Sequence, residues 1–210
     1  MVYPILKRTI IPLIRFYMGE VEGFENLPKE GGFIVASNHG SYMDHLILST
    51  VIVPHYDQKL HFLAKKEHFD SLYQRVWHKY VGAIPLDRES GGEASLDIGV
   101  EYLKKGKIMG IYPEGTRTLD GKLQRGKTGV ARLALRAKVP VLPVGLIGTF
   151  DMLPKGKTIP KLSKAKVKIG KLMSFDKYYG KENDRDVLRR ITNEIMKEVG
   201  GLVGQDYGFD

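Results

Sequence analysis

The amino-acid sequence predicts an α/β fold in which helices flank a central sheet of mostly parallel or mixed strands. Two observations support this prediction. Short apolar runs alternate along the chain with longer segments of helical periodicity, which is the pattern of a sheet covered by helices. The chain also has 210 residues, of which 42% are hydrophobic and 27% are charged, enough to bury the core of one such domain.

The N-terminal segment differs from the rest of the chain. Residues 2–18 are mostly apolar, and their cations fall on one side of a helix: Lys7, Arg8 and Arg15. A cationic stripe on an apolar helix suits a membrane interface, but a terminal helix packed on its own core has the same pattern. Pro12 predicts a kink or a break. We expect an amphipathic membrane-association segment at residues 1–19 and one domain at residues 20–210.

The domain divides into elements at its turn residues. A short strand at residues 21–23 precedes turns at 26–28 and 31–32. From there, short apolar runs alternate with longer helix-like segments. The predicted strands are residues 33–37, 60–64, 83–87, 107–112, 141–147 and 165–170. The predicted helices are residues 42–52, 67–79, 93–104, 127–138 and 184–199.

Charge and composition narrow the classes of partner. The net charge of +9 favours an anionic membrane, an acidic carrier protein, a phosphorylated substrate or nucleic acid, although surplus lysine also serves solubility. We expect no nucleic-acid partner, because no nucleic-acid-binding motif is present. The absence of cysteine excludes disulfides and a thiolate nucleophile. No apolar run approaches the ~18 residues of a membrane span, and residues 9–13 are too short for a signal peptide.

A histidine follows the strand predicted at 33–37, with a carboxylate five residues further on. His39 lies at the end of the strand, and Asp44 lies about one turn into the next helix. A neutral imidazole can take a proton near pH 7, and a nearby carboxylate fixes its tautomer. No serine or cysteine nucleophile is paired with it, so we expect the proton to come from a substrate hydroxyl. A structural hydrogen bond has the same spacing. A metal site is not expected, because Asp44 and His45 diverge on a helix.

Three further blocks follow residues 38–44 along the chain. They are Gly82 to Arg88, Tyr112 to Arg117 and Val139 to Val144. Together the four blocks resemble the motifs of the glycerolipid acyltransferases, a family that includes the bacterial 1-acylglycerol-3-phosphate acyltransferases: NHxxxxD, IxxxR, EGTR and a Val-Pro-hydrophobic-Pro-Val block. All four occur in the family's order, over about residues 20–150. The combination is specific for the chemistry and much less so for the acceptor.

The resemblance implies roles for residues of the second and third blocks. It assigns acceptor binding to Arg88, Glu114, Gly115, Thr116 and Arg117. Each arginine offers a planar fork of donors to a phosphate, or else forms a surface salt bridge. Glu114 would accept a hydrogen bond from a glycerol hydroxyl or brace an arginine. Two further cations, Lys65 and Lys127, are expected near the same phosphate, the second at a helix start.

The remaining expectations concern the fourth block and the turn after His39. The resemblance places Val139, Pro140 and Pro143 on the acyl-chain side of the site, although such a run also fits a core. The backbone amides near Gly40 and Ser41 lie at a helix start and are candidates for stabilising the oxyanion. Ser41 is therefore counted among the substrate-binding residues.

From this resemblance we expect transfer of a fatty acyl group from a thioester to the sn-2 hydroxyl of 1-acylglycerol 3-phosphate. The carrier of the thioester is CoA or acyl carrier protein. The product is phosphatidic acid, and no cofactor or metal is required. The acceptor alternatives are glycerol 3-phosphate, another lysophospholipid or a glycolipid. A non-catalytic basic protein that binds membrane or nucleic acid is the alternative outside this class. Residues 20–210 would form the acyltransferase domain, peripheral on the cytoplasmic face of an anionic membrane.

Overall fold

The computed structural model of the chain describes residues 7–86 and 93–209, and within them the backbone forms one seven-stranded sheet. In chain order the strands are β1 (Met18–Glu22), β2 (Ile34–Ser37), β3 (Leu60–Lys65), β4 (Ile84–Leu86), β5 (Ile108–Ile111), β6 (Val141–Ile147) and β7 (Ala165–Ile169). Their order across the sheet is β1-β7-β6-β2-β5-β3-β4. Every neighbouring pair is parallel except β6 and β7, which confirms the predicted sheet.

Helices cover both faces of the sheet. They are α1 (Ile10–Arg15), α2 (Asp44–Tyr56), α3 (Leu72–Val81), α4 (Glu93–Lys104), α5 (Gly129–Ala137), α6 (Thr149–Met152) and α7 (Arg185–Val203). The core residues of α1, α2 and α6 pack on one face of the sheet, and those of α4, α5 and α7 pack on the other. Along β2, Val35 belongs to the first cluster while Ile34 and Ala36 belong to the second, as strand alternation requires.

The central strands bring two predicted blocks to one edge of the sheet. Strand β2 is buried along its whole length and pairs in parallel with β5, with Ala36 opposite Ile111. The chain leaves both strands at their carboxyl ends, so the turn after residue 37 and the loop after residue 111 lie side by side. Ligand sites on α/β sheets form at this edge.

The observed elements differ from the predicted ones mainly at their ends. The helix predicted at 67–79 is a 3-10 turn (Lys66–Phe69) followed by α3, because the Ser71 side chain accepts a hydrogen bond from the Gln74 N–H and caps a new helix start. Helix α7 continues past the predicted residue 199 to Val203 and ends where Gly204 adopts φ 72°. The short helix α6 was not predicted.

The N-terminal segment packs on the domain in the part that the structure describes. Helix α1 buries Ile11 and Ile14 and contacts α2, while Leu13 and Phe16 are exposed. Lys7 forms an ion pair with Asp57, at the end of α2. In the two described ranges no helix has the length and apolar character needed to cross a membrane.

Candidate active site

The residue that follows β2 is tied to the neighbouring strand by its side chain. Asn38 accepts a hydrogen bond at Oδ1 from the backbone N–H of Leu146 (2.8 Å) and donates from Nδ2 to the carbonyl of the same residue (2.9 Å). The amide side chain thereby replaces one step of the sheet ladder. His39 therefore leaves the sheet at a fixed point, with 19% of its side chain exposed.

His39 and Asp44 form the predicted pair. The histidine Nδ1 lies 2.8 Å from Oδ2 of Asp44, whose side chain is fully buried. The same oxygen accepts the backbone N–H groups of Gly40 (2.9 Å) and Ser41 (2.8 Å). Because an ionised carboxylate only accepts, Nδ1 carries the proton and Nε2 is the basic nitrogen of the ring.

The amides of Gly40 and Ser41 were expected to face an oxyanion, and this expectation is wrong. Asp44 lies in the first turn of α2, so its carboxylate folds back over the preceding turn and takes both amide hydrogens. The hydroxyl of Ser41 is engaged as well, since it donates to the carbonyl of Leu153 (3.0 Å) and accepts from the N–H of Met43 (3.1 Å). Ser41 therefore shapes the turn, and it also lines the cavity described below, so its contact with substrate stays a prediction.

Glu114 holds the backbone of His39, a role that the sequence did not indicate. Its Oε1 accepts the His39 N–H (2.7 Å), and its Oε2 accepts from the N–H and the side-chain amide of Gln124 (2.9 and 3.2 Å). The His39 carbonyl accepts from the N–H of Thr118 (2.9 Å). Glu114 was expected to contact a glycerol hydroxyl or an arginine, but both of its oxygens are occupied by these contacts. The loop of residues 114–118 thus holds the histidine from both sides.

The environment of Glu114 makes it titrate near neutral pH. Burial raises the pKa of Glu114 to about 7, against the hydrogen bonds from His39 and Gln124, which lower it, while the charge of Asp44 raises it slightly further. Only 3% of the residue is exposed. The carboxyl group that braces the histidine therefore changes its protonation state within the physiological range.

A second histidine, His45, follows the pair on α2 and faces the cavity described below. Packing of the surrounding protein lowers the pKa of His45, the charge of Asp44 raises it, and the charges of His39 and Arg117 lower it further, while part of the residue stays exposed to the cavity. Its imidazole is therefore neutral at pH 7. Among the described residues, no three His, Asp or Glu side chains are grouped to hold a metal ion.

Three aromatic rings form a stack beneath the pair. The rings of His39 and Tyr112 are parallel within 9° with centroids 3.9 Å apart, and Tyr112 stacks in turn on Phe62 (5.6 Å). Phe62 lies opposite Gly110 in the β3–β5 ladder, where a Cβ would come within 2.2 Å of the ring. The sequence reasoning missed this stack. Strand alternation, which puts Gly110 and Tyr112 on one face, was the available signal.

His39 lines a cavity of about 550 Å³. Apolar residues from α1, α2, α3 and β3 form much of its wall, including Ile14, Leu46, Val53, Phe62 and Val81. Three predicted cations line the same cavity: Lys65, Arg117 and Lys127. Within the described ranges none of the three forms an ion pair with a carboxylate. The cavity therefore combines an imidazole, an apolar wall and three positively charged side chains.

The third block forms part of this cavity through its backbone and its arginine. Gly115 has φ 71°, a backbone conformation that favours glycine, and it lies against the flexible end of the Lys127 side chain. The guanidinium carbon of Arg117 lies 3.4 Å from the centroid of the Tyr42 ring, which fixes its position. Thr116 lines the cavity beside them. Arg88 lies outside the described residues.

The fourth block does not line the cavity in this structure, contrary to expectation. Val139 is buried in the core cluster under α5 and α7, and Pro140 accepts the N–H of Ile34 at its carbonyl. Alternation along β6 turns Pro143 towards Leu202 of α7, and its carbonyl accepts the N–H of Gly170, the residue after β7. An apolar run alone does not reveal which face of the sheet each residue occupies, and here these three residues build the sheet.

Comparison with known proteins agrees with the architecture of the site. A family model described as acyltransferase matches residues 19–147. The 1-acyl-sn-glycerol-3-phosphate acyltransferase of Bacillus subtilis (strain 168) is 36% identical over 147 residues, 70% of this chain and 69% of that protein. The protein of the same name from Borreliella burgdorferi is 28% identical over 184 residues, 85% of this chain and 70% of that protein.

A solved structure is similar as well. The crystal structure of the 1-acyl-sn-glycerophosphate acyltransferase PlsC from Thermotoga maritima aligns with a TM-score of 0.68 and 30% identity. The alignment covers 89% of this chain and 71% of that one. The similarity thus extends beyond the matched blocks to most of the described fold.

Proposed function

This chain belongs to the acyltransferase family, and we propose that it moves a fatty acyl group from a thioester to the sn-2 hydroxyl of 1-acylglycerol 3-phosphate. The product is phosphatidic acid. The similar proteins from Bacillus subtilis, Borreliella burgdorferi and Thermotoga maritima support this acceptor, because each is named as an acyltransferase for 1-acylglycerol phosphate. The observation that carries the proposal is the His39–Asp44 pair, which opens on an apolar cavity with three cations that form no ion pair with a carboxylate among the described residues.

In the proposed reaction, His39 acts as a general base. Its Nε2 takes the proton of the acceptor hydroxyl as that oxygen attacks the thioester carbonyl carbon. The C–S bond then breaks, and the imidazolium returns the proton to the leaving thiolate. Asp44 fixes the tautomer of the neutral imidazole and stabilises the imidazolium once it forms. Positioning of the two substrates supplies much of the rate, since the step forms no covalent enzyme intermediate.

The cations provide the site for the acceptor phosphate. Arg117 lies on the loop after β5, Lys127 lies on the loop just before α5, and Lys65 lies at the end of β3. Charge-assisted hydrogen bonds from such groups are stronger than neutral ones. Arg88 joins this set by its place in the second block. The apolar wall of the cavity receives an acyl chain, as expected for a site of this size and composition.

We further propose that the protein works as a peripheral membrane enzyme. Residues 1–19 form the association segment, with Leu13 and Phe16 exposed on α1, and residues 20–210 form the catalytic domain. The donor is acyl-CoA or acyl carrier protein, and the membrane surface is anionic, in line with the net charge of +9. Glycerol 3-phosphate, other lysophospholipids and glycolipids remain the alternative acceptors.

A product assay tests the proposal. The purified chain is incubated with each acceptor class and each thioester donor, and mass spectrometry identifies the lipid formed. We expect phosphatidic acid from 1-acylglycerol 3-phosphate. The Arg117→Ala variant should raise the KM for this acceptor more than the KM for the donor, because a phosphate contact is lost. Arg185→Ala, which removes an exposed arginine at the start of α7 that does not line the cavity, is the matched control.

Two results would overturn the proposal. One is preferred acylation of an acceptor without a phosphate. The other is an equal rise in both KM values for Arg117→Ala, which would assign the arginine to the fold.

A further inference from the structure

Helix α3 has a continuous apolar half. At about 100° per residue, its six apolar or aromatic residues occupy one side of the helix: Leu72, Tyr73, Val76, Trp77, Tyr80 and Val81. The polar residues share the other side: Gln74, Arg75, His78 and Lys79. A pattern of this kind predicts a helix whose apolar face is covered by something.

In the part of the chain that the structure describes, this face is not buried. None of the ten residues of α3, all within the described part of the chain, is buried. Leu72, Tyr73 and Val76 are exposed by 75%, 79% and 61%, and Trp77 by 36%. Single exposed apolar residues are common, but a contiguous group on one helix face marks an interaction site.

The position of α3 identifies the cavity as its neighbour. Trp77, His78 and Val81 line the same cavity as His39. Ile10 and Ile14 of α1 line it too, and α1 exposes Leu13 (62%) and Phe16 (54%) on its outer side. Two helices that border the cavity therefore both present uncovered apolar side chains.

The charges around α3 select an anionic partner. No acidic residue occurs from Ser71 to Gly82. Arg75 and Lys79 are exposed on the polar side of the helix, next to its apolar half. Lys65 and Lys66 precede the helix, together with Glu67 and Asp70. Aromatic residues beside cations on an amphipathic helix are typical of the interface between lipid head groups and acyl chains.

We propose that α3 is a second membrane-docking element, separate from the N-terminal segment, and that it lies in the surface of an anionic phospholipid bilayer. Leu72 and Val76 enter the acyl boundary, Trp77 lies at head-group depth, and Arg75 and Lys79 contact lipid phosphates. This inference deepens the proposed function and rests on it, because it places the cavity that holds His39 directly over the lipid from which the acceptor comes.

The chain carries its own probe for this contact. Trp77 is the single tryptophan of the sequence, so tryptophan emission, excited at a wavelength that tyrosine does not absorb, reports α3 alone. The full chain is mixed with vesicles of phosphatidylglycerol and phosphatidylcholine, with and without bromine on the acyl chains. We expect a blue shift of the emission on vesicle binding and quenching by the brominated lipid.

Paired variants identify the side chains responsible. Leu72→Gln with Val76→Gln should weaken vesicle binding on the order of tenfold or more, since two apolar side chains no longer leave water. Ile159→Gln with Leu162→Gln is the matched control, because these residues are 81% and 79% exposed on a loop that does not line the cavity. The control pair should bind like the unmodified chain. Both pairs should unfold at unchanged denaturant concentration.

Several outcomes would overturn the inference. They are a vesicle-bound chain whose Trp77 emission is neither shifted nor quenched, equal losses from both variant pairs, and a shift that needs no lipid and grows with protein concentration. The last would mean that a second copy covers α3.

Acyl transfer to a short-chain soluble acceptor is measured in parallel. Absent transfer with an intact Trp77 shift would refute only the proposed function, while intact transfer without the shift would refute only the docking of α3.

Discussion

At the scale of single residues, Asp44 organises the site because one carboxylate oxygen holds the imidazole and two backbone amides. His39→Ala should abolish transfer while leaving the fold intact. Asp44→Asn should lower kcat on the order of a hundredfold or more, because an amide group can donate to Nδ1 and favour the tautomer whose Nε2 carries a proton. Steady-state kinetics measure both losses.

Asp70→Asn, an exposed carboxyl before α3, is the control for Asp44→Asn and should leave kcat unchanged. Near-normal turnover by the His39→Ala variant would exclude the imidazole as the base.

At Tyr112, the contribution of the ring can be measured separately from that of the hydroxyl. The ring stacks on His39, whereas the buried hydroxyl has no hydrogen-bond partner among the described residues. Tyr112→Phe should therefore retain activity and gain up to about 1 kcal/mol of unfolding free energy. Tyr112→Ala should lose about 3 kcal/mol or more and much of kcat, because the imidazole loses its support. Denaturant unfolding and initial rates measure these changes. A Phe variant that is clearly less stable would contradict this division.

Glu114 predicts a specific pH dependence of stability. Its pKa is raised to about 7 from 4.5, so the native state binds more protons than the unfolded state between these values. Its contribution to stability is complete below about pH 4.5 and is lost as the pH rises through 7. Relative to Glu114→Gln, the unmodified protein should lose unfolding free energy on the order of 3 kcal/mol across this window. Denaturant titrations at several pH values measure the difference, and a constant difference would refute the raised pKa.

At the scale of elements, α1 has an inner and an outer side with different consequences. Ile14 is 5% exposed and lines the cavity, so Ile14→Ala should cost about 2–5 kcal/mol of unfolding free energy. Leu13→Gln with Phe16→Gln changes only exposed residues and should weaken vesicle sedimentation while stability stays within about 0.5 kcal/mol. Equal destabilisation by both variants would mean that α1 is simply a core-packing helix.

The elements also explain which parts of the site were predictable. The strand–turn–helix pattern located His39 and Asp44 because their contact spans only five residues. The brace from Glu114 spans 75 residues and depends on the pairing of β2 with β5, which local periodicity does not encode. The fourth block was misplaced for a related reason, since Val139, Pro140 and Pro143 are apolar on either face of the sheet. The start of α3 depended on one hydrogen bond, which the Ser71 side chain accepts from the Gln74 N–H.

At the scale of the whole molecule, the order of the elements and the mixed sheet followed from alternation of strand-like and helix-like segments. Arg88 was predicted to bind the acceptor, and it stays a prediction. The cavity itself was not predictable, because residues from α1, α2, α3, β3 and the loop after β5 converge on it only in the folded chain.

The net charge of +9 leads to a prediction for the molecule as a whole. Raising the ionic strength from low salt to 1 M should weaken binding to phosphatidylglycerol vesicles only in part, because salt screens the cations but leaves the apolar side chains of α1 and α3 inserted. Sedimentation across a salt series measures the residual binding. Complete release at high salt would mean that charge alone holds the protein on lipid.

The two hydrogen bonds that hold the His39 backbone come from the loop that also carries Arg117. The proposed base and one wall of the proposed phosphate site are therefore tied to each other through the backbone of one loop. Under the proposed mechanism, binding of the acceptor phosphate by Arg117 also sets the position of the phosphate relative to Nε2 of His39. The alignment of the two is established when the chain folds and is the same at the start of every turnover.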